Sequence, residues 1–249
     1  MKRKMKIAII GYGKMGHMIE DVARSRGHQI VGVIDPRLNE ELKIKNEELS
    51  LPLIDFESEE FQSADVAIEF TTPATAKDNI LRAWAQGVPV VCGTTGWQPE
   101  ELKGEGFELK EVDSKKLIVE SKTGKVMLVW SSNYSVGVNI FFELNKFLAE
   151  QMTAQTQYMP SIKEIHHIHK LDKPSGTAKT LAEQIRETDL SRYRNIEDIE
   201  IESVREGEVP GTHEVTWDSE EDTIVITHIA KGRRGFALGA VLAAEEIVS

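Results

Sequence analysis

Lys6-Ile7-Ala8-Ile9-Ile10-Gly11-Tyr12-Gly13-Lys14-Met15-Gly16 joins a short apolar run to three glycines spaced G-x-G-x-x-G. The run reads as a buried strand, and residues 15–24 read as a helix with Met15, Met18, Ile19 and Val22 on one face. In such a strand–turn–helix each glycine has its own steric reason. The first allows the tight turn, the second lets the backbone approach a pyrophosphate, and the third lets helix and strand pack closely. The helix start adds free N–H groups and a partial positive charge, which suit an anion. Asp35 follows a second apolar run, residues 30–34, about 20 residues beyond the loop, where a carboxylate can bind both ribose hydroxyls of an adenosine. Together these features predict a dinucleotide site built from Gly11, Tyr12, Gly13, Lys14, Met15, Gly16 and Asp35. An acid at Asp35 repels a 2′-phosphate and favours NADH, whereas Arg37 can partly offset that repulsion and admit NADPH.

Working outward, residues 66–70, 88–92 and 126–130 read as further buried strands, and residues 74–86 as a helix with Ile80, Leu81 and Trp84 at helical spacing. Near-continuous apolar strands alternating with helices predict a parallel sheet covered on both faces. Thr71-Thr72-Pro73 and Gly93-Thr94-Thr95-Gly96 follow two of these strands. They belong to the carboxyl edge where open parallel sheets bind ligands, so Thr71, Gly93, Thr94 and Thr95 are expected to face the cofactor. After Asn133 the pattern changes. A helix over 140–152 is followed by strand-like runs at 162–169, 199–205, 213–217 and Thr223–Ile229, then by a small-residue helix over 236–248. The expected fold class is α/β: a Rossmann-type parallel-sheet domain plus an α+β domain with a mixed or antiparallel sheet.

Composition narrows the function classes. The 249 residues are 40% hydrophobic and 29% charged, ordinary for a soluble globular chain, and the net charge of −11 argues against a nucleic-acid binder. The single cysteine, Cys92, rules out an intramolecular disulfide and a cysteine-based zinc site, which fits a reducing cytoplasm. Met1-Lys2-Arg3-Lys4-Met5 is basic, but the apolar run after it is too short for a signal peptide, and no segment has the roughly 20 apolar residues of a membrane span. The acidic stretch 218–222 reads as a solvated turn.

The richest segment is Glu164-Ile165-His166-His167-Ile168-His169-Lys170-Leu171-Asp172-Lys173-Pro174-Ser175-Gly176-Thr177. If residues 162–170 form a strand, His166, Ile168 and Lys170 share one face, with His167 and His169 on the other. His166 then offers an acid near neutrality and Lys170 a compact positive charge. Ser175-Gly176-Thr177 opens a helix with Leu181 and Ile185 on one face, so its hydroxyls can cap the helix or help to bind a carboxylate. A metal reading rests on His167 and His169 at i, i+2; no third ligand is evident, and no metal is expected.

These motifs occur in an order with a known counterpart. Gly11 to Gly16, Gly93 to Gly96, Ser132-Asn133-Tyr134-Ser135-Val136-Gly137-Val138-Asn139, H-H-x-H-K at His166, P-S-G-T at Pro174, Arg205-Glu206-Gly207 with Gly211 and His213, and Ile226-Thr227-His228 follow one another along the chain. The sequence resembles the 4-hydroxy-tetrahydrodipicolinate (dihydrodipicolinate) reductase family over nearly its whole length, with Lys173 where that family usually has alanine. The resemblance implies a dinucleotide-binding domain over 1–133 and 233–249, and a substrate-binding and tetramerisation domain over 134–232. It implies reduction of a cyclic unsaturated dicarboxylate by NAD(P)H in lysine and diaminopimelate biosynthesis, in a cytoplasmic homotetramer. His166 would be the general acid and Lys170 a second catalytic cation. His167, Ser175, Gly176, Thr177 and Arg233 would bind substrate, and Ser131, Ser132, Asn133 and Tyr134 would line the nicotinamide side. The alternatives are another amino-acid dehydrogenase, of aspartate or homoserine type, and a non-catalytic NAD-binding sensor.

Overall fold

In the computed structural model the chain is described over residues 3–38, 51–102, 108–113, 116–121 and 124–248. It divides into two compact units, Met1–Tyr134 with Phe236–Ser249, and Ser135–Gly235. Among the described residues no helix is long and apolar enough to cross a membrane.

The first unit is built on seven strands: β1 (Lys6–Ile10), β2 (Gln29–Ile34), β3 (Val66–Glu69), β4 (Val90–Cys92), β5 (Glu108–Asp113), β6 (Lys116–Ser121) and β7 (Gly124–Trp130). Their order is β2-β1-β3-β4-β7-β6-β5. The first five in that order run parallel, as expected, and β6 and β5 add an antiparallel edge. The sequence expectations did not include that hairpin: Glu108–Asp113 interleaves charged and apolar residues, and the short run Leu117-Ile118-Val119 of its partner is flanked by charged residues. Both faces of β1 are buried. Ile7 and Ile9 pack in one core with Ile19 and Val22 of helix Lys14–Ser25 and with Ala240 and Ala244 of helix Arg234–Val248. Ala8 and Ile10 pack in a second core with Ile80 and Trp84 of helix Pro73–Ala85. Each large side chain buried this way contributes about 1.5–3 kcal/mol.

The second unit has β8 (Met159–His166), β9 (Glu200–Arg205), β10 (Thr212–Asp218) and β11 (Thr223–Ile229), in the order β11-β10-β8-β9. β8 and β9 are parallel and the other pairs antiparallel, so the sheet is mixed. Helices Val136–Met152 and Gly176–Thr188 share its core, which includes Phe141, Ala149, Ile162, Leu181, Ile185, Val215 and Trp217. Along β8 the inward positions are Pro160, Ile162, Glu164 and His166; along β10 they are His213, Val215 and Trp217.

One expectation is corrected. The strand predicted over 162–169 ends at His166, so His166, Ile168 and Lys170 do not share a strand face. Pairing stops there because its partner β9 ends at Arg205. The backbone then turns, with Lys170 N–H donating to His167 O at 3.1 Å and Ile168 N–H to Gly207 O at 3.1 Å. The Arg205 side chain fixes the turn by donating to the carbonyls of Lys170 at 3.2 Å and Asp172 at 2.5 Å.

Candidate active site

At the carboxyl edge of the parallel sheet the glycine loop takes the predicted form. Gly11 has a φ of +89°, and a Cβ there would stand 2.2 Å from Phe70 O. A Cβ on Gly16 would stand 2.4 Å from Gly11 O, so this glycine lets the helix seat against the strand. Among the described residues, its chain neighbours aside, the atom nearest to the place a Gly13 Cβ would occupy is Arg37 Nη2 at 3.8 Å, which leaves the middle of the loop room for a ligand. Gly13 caps helix Lys14–Ser25, whose first turn holds no acid that would oppose an anion. Lys14 is exposed and Met15 half-buried beside it.

Asp35 is buried and occupied. It accepts from Tyr12 N–H at 2.9 Å and from Arg37 Nε at 3.1 Å and Nη2 at 2.8 Å. Burial alone would raise its pKa, but the Arg37 guanidinium and the backbone N–H groups of Tyr12 and Arg37 outweigh it and hold the carboxyl below its ordinary range. Thr71 and Thr94 meet at a second carboxylate. Glu69, fully buried at the end of β3, accepts from the Thr71 hydroxyl, from Thr94 Oγ1 at 2.7 Å, from Cys92 Sγ at 2.9 Å and from Asn79 Nδ2 at 3.4 Å. Thr94 Oγ1 also accepts from Thr71 N–H at 2.8 Å. The two loops are thus tied through one acid, Glu69, which is not among the residues expected from the sequence to form the site. Burial first, and then the Glu69 charge, push the Cys92 thiol well up. Gly93 is half-buried and Thr95 exposed.

Ser131 Oγ bonds to Asn133 O at 2.9 Å, Ser132 is exposed, and the buried Tyr134 hydroxyl donates to the carbonyls of Cys92 at 2.9 Å and Val129 at 2.8 Å.

The second unit gathers titratable groups from all around its sheet. In the strand register His213 of β10 lies opposite Glu164 of β8, and His166 lies opposite Arg205 of β9. Glu164 is fully buried, His166 and His213 nearly so, and the two rings meet edge to face at 5.0 Å between centroids. His166 Nδ1 abuts Glu164 Oε2, and Arg205 Nη2 donates to Glu164 Oε1 at 3.0 Å. Ser175 caps helix Gly176–Thr188 by accepting from Ala178 N–H at 3.2 Å. Its own N–H donates to Glu164 Oε1 at 3.2 Å, and its hydroxyl meets His213 Nε2 at 3.2 Å. Lys170 Nζ pairs with Asp172 Oδ1 at 2.8 Å.

Burial would raise the Glu164 pKa, but Arg205, the Ser203 hydroxyl, His166 and Ser175 N–H together lower it. Burial lowers His166; Glu164 opposes that shift, and Lys170 and Arg205 add to it. Among the described residues Glu164, His166 and His213 are the one group with three possible ligand atoms within 4.8 Å of one another. The guanidinium already seated on Glu164 opposes a metal cation there, so the cluster reads as an ion-pair and hydrogen-bond network. The pair considered for a metal from sequence, His167 and His169, has its rings 6.1 Å apart, with His169 on Glu208 at 3.2 Å.

Models of the dihydrodipicolinate reductase N-terminus and C-terminus match residues 5–134 and 137–249. The chain belongs to the dihydrodipicolinate reductase family. It is 44% identical to the 4-hydroxy-tetrahydrodipicolinate reductase of Christiangramia forsetii, over 97% of this chain and 91% of that one. It is 35% identical to the enzyme of the same name from Archaeoglobus fulgidus, over 98% and 94%. Among solved structures, a dipicolinate-bound dihydrodipicolinate reductase from Paenisporosarcina sp. TG-14 superposes with a TM-score of 0.73 at 22% identity, covering 99% of this chain and 95% of that one. As a member of this family the chain binds a pyridine nucleotide, and the open Gly13 backbone and uncontested helix start fit its pyrophosphate.

Of the residues singled out beforehand, His166 and Ser175 join the cluster directly. Lys170 stands close enough to influence His166 through its charge, His167 and Thr177 are half-buried, and Gly176 is exposed at the helix start. Arg233 is exposed in the turn before helix Arg234–Val248 and makes no hydrogen bond or ion pair among the described residues. Glu164, Arg205 and His213 were not singled out as site residues. Glu164 lies two residues before His166, and period-two alternation alone could have found it; the other two depend on strand register.

The buried imidazole of His213 has a thermodynamic consequence. Burial first, and then His166, push its pKa down to about 4. Between the ordinary unfolded value near 6.5 and that of the folded state, the unfolded chain binds more protons, so lowering pH through this window destabilises the second unit by up to about 3 kcal/mol. Above that window the contribution is constant. Urea midpoints followed from about pH 7 to 4 should fall, and His213→Gln should flatten the slope; an unchanged slope in the variant would assign the acid lability to other groups.

Proposed function

We propose that this chain is an NAD(P)H-dependent 4-hydroxy-tetrahydrodipicolinate reductase, with His166 as general acid. The observation that carries the reading is the buried His166–Glu164–His213 cluster beside the start of helix Gly176–Thr188, in a chain 44% identical to a relative of that name. The dipicolinate bound by the solved relative is a dicarboxylate, which supports a small dicarboxylate as substrate here.

The chemistry follows from the residues. When bound, the reduced nicotinamide supplies a hydride. Hydride addition to a conjugated imine leaves electron density on the ring that must take up a proton, and His166 delivers it. Its pKa in the free protein is low because the ring is buried. A dianion beside the ring opposes that effect and draws a proton on. Lys170 supplies positive charge for a carboxylate, which would compete with Asp172 for the ammonium. The N–H groups of Gly176 and Thr177, the Thr177 hydroxyl and His167 complete the carboxylate site, with Arg233 as a further cation. Ser175 holds the helix start and His213 in place.

In this reading the first unit binds the cofactor through residues 11–16, Asp35, Thr71 and 93–95, with 131–134 on the nicotinamide side. The second unit binds substrate and builds a homotetramer. Its sheet presents an outer face with half-buried Ile165 and exposed Val225 and Ile229, away from the helix-packed core. The protein would work in the cytoplasm, with no nucleic-acid or membrane partner.

Three outcomes test this. In a coupled assay that makes the substrate from pyruvate and aspartate semialdehyde, His166→Gln should lower kcat by about 100- to 10,000-fold. His169→Gln, at an exposed ring paired with Glu208, should stay within about twofold of wild type; equal losses in both would remove His166 from the acid role. NADH should serve at least as well as NADPH, and Arg37→Ala should lower kcat/KM for NADPH about tenfold relative to NADH, about 1.4 kcal/mol. An unchanged ratio would show that the Asp35–Arg37 pair does not govern cofactor choice. Light scattering at micromolar concentration should give the mass of a tetramer, and a monomer would refute the assembly.

A further inference from the structure

His166 meets the carboxylate of Glu164 on its Nδ1 side. Glu164 precedes it by two residues on β8, so both side chains enter the same buried face. Glu164 Oε1 is taken up by Arg205 Nη2 at 3.0 Å and Ser175 N–H at 3.2 Å. The Ser203 hydroxyl also acts on this carboxylate. Oε2 stands against His166 Nδ1 as an ion-pair contact; both atoms are sealed from solvent and neither has another hydrogen-bond partner among the described residues. The other groups acting on the ring are cations or neutral. Lys170 stands on the loop after β8 and Arg205 at the end of β9. His213 comes from β10, with its own partner Ser175 at the helix start, and His228 of β11 acts on His213. Asp172 is paired with Lys170.

An imidazole that gives its Nδ1 hydrogen to a carboxylate has one neutral tautomer, with Nε2 bare. Nε2 lies on the side of Gly211, where a Cβ would come within 3.1 Å of it, so the lack of a side chain there keeps room beside that nitrogen. We propose that Glu164 is a positioning residue: with Oε1 fixed by Arg205 and Ser175, its Oε2 keeps a proton on His166 Nδ1 and makes Nε2 the nitrogen that passes a proton to substrate. The proton leaves Nε2 of the imidazolium, the ring returns to the Nδ1–H neutral form, and Glu164 remains a carboxylate throughout. Arg205 supplies the counter-charge that a buried carboxylate needs to stay ionised. The inference rests on the reading of His166 as the acid.

The test is a long-range proton–nitrogen correlation spectrum of the full chain labelled with 15N-histidine, titrated between about pH 5 and 9. In the wild type, neutral His166 should carry its hydrogen on Nδ1. Glu164→Gln should move the hydrogen toward Nε2, shift the His166 titration to lower pH, and lower kcat about 10- to 100-fold with NADH affinity unchanged. Because that variant leaves Arg205 without its counter-charge, Glu164→Gln/Arg205→Met removes both charges and should fold with the same altered tautomer. Wild-type His166 protonated on Nε2 would overturn the proposal, whatever the variants do. So would a loss of turnover in Glu164→Gln with the tautomer and titration of His166 unchanged, which is what a purely structural role gives. The spectra need no substrate. A Glu164-dependent tautomer in a protein that does not turn over the dicarboxylate would therefore refute the functional reading while upholding the Glu164–His166 coupling.

Discussion

A carboxylate withdrawn from water must find its hydrogen bonds and counter-charges inside the protein, and among the described residues one carboxylate in each unit is fully buried. Glu69 closes β3 of the first unit and Glu164 sits near the end of β8 in the second, both fully buried. Each collects donors from several segments, so each fixes the relative positions of backbone that would otherwise end in independent loops. Around Glu69 these are the loops after β3 and β4 and helix Pro73–Ala85, through Thr71, Thr94 and Asn79. Around Glu164 they are β9, the neighbouring histidine of its own strand, and the start of helix Gly176–Thr188.

The two solutions differ in kind. Glu69 accepts from two hydroxyls, a thiol and an amide, all neutral, which organises a loop pair without placing a cation beside the nucleotide edge. Glu164 is met by a guanidinium and an imidazole, a charged network in which each proton position depends on its neighbours. The first arrangement suits a scaffold and the second suits proton transfer. Asp35 lies between them in character. It is buried and ion-paired, yet its partner Arg37 is mostly exposed, so solvent weakens the pair.

Arg205 links the acid to the shape of the loop. The guanidinium that neutralises Glu164 also binds the carbonyls of Lys170 and Asp172. Charge compensation in the sheet and the placement of the lysine are therefore one set of hydrogen bonds. The end of β8 at His166 is part of the same arrangement. The turn that follows leaves the Lys170 charge close enough to act on the His166 ring.

Local information was enough for much of this molecule. The glycine spacing, the apolar runs and their alternation with helices determine the parallel sheet, because turn sterics and strand burial act over a few residues at a time. The cap at Ser175 was one of the two roles its local sequence allowed, and the structure shows it. The antiparallel hairpin at the sheet edge escaped, since one strand is half polar and the three-residue apolar run of the other, Leu117-Ile118-Val119, is a weak mark beside its charged flanks. Which side chains meet was settled only by tertiary structure. The position of His213 opposite Glu164, and of Arg205 opposite His166, is a matter of strand register between segments far apart in the chain. Register follows from the packing of the whole sheet against its two helices, and a one-residue slip would turn these groups to the other face. The sequence by itself determined which residues could do acid–base chemistry; the fold decided which of them meet.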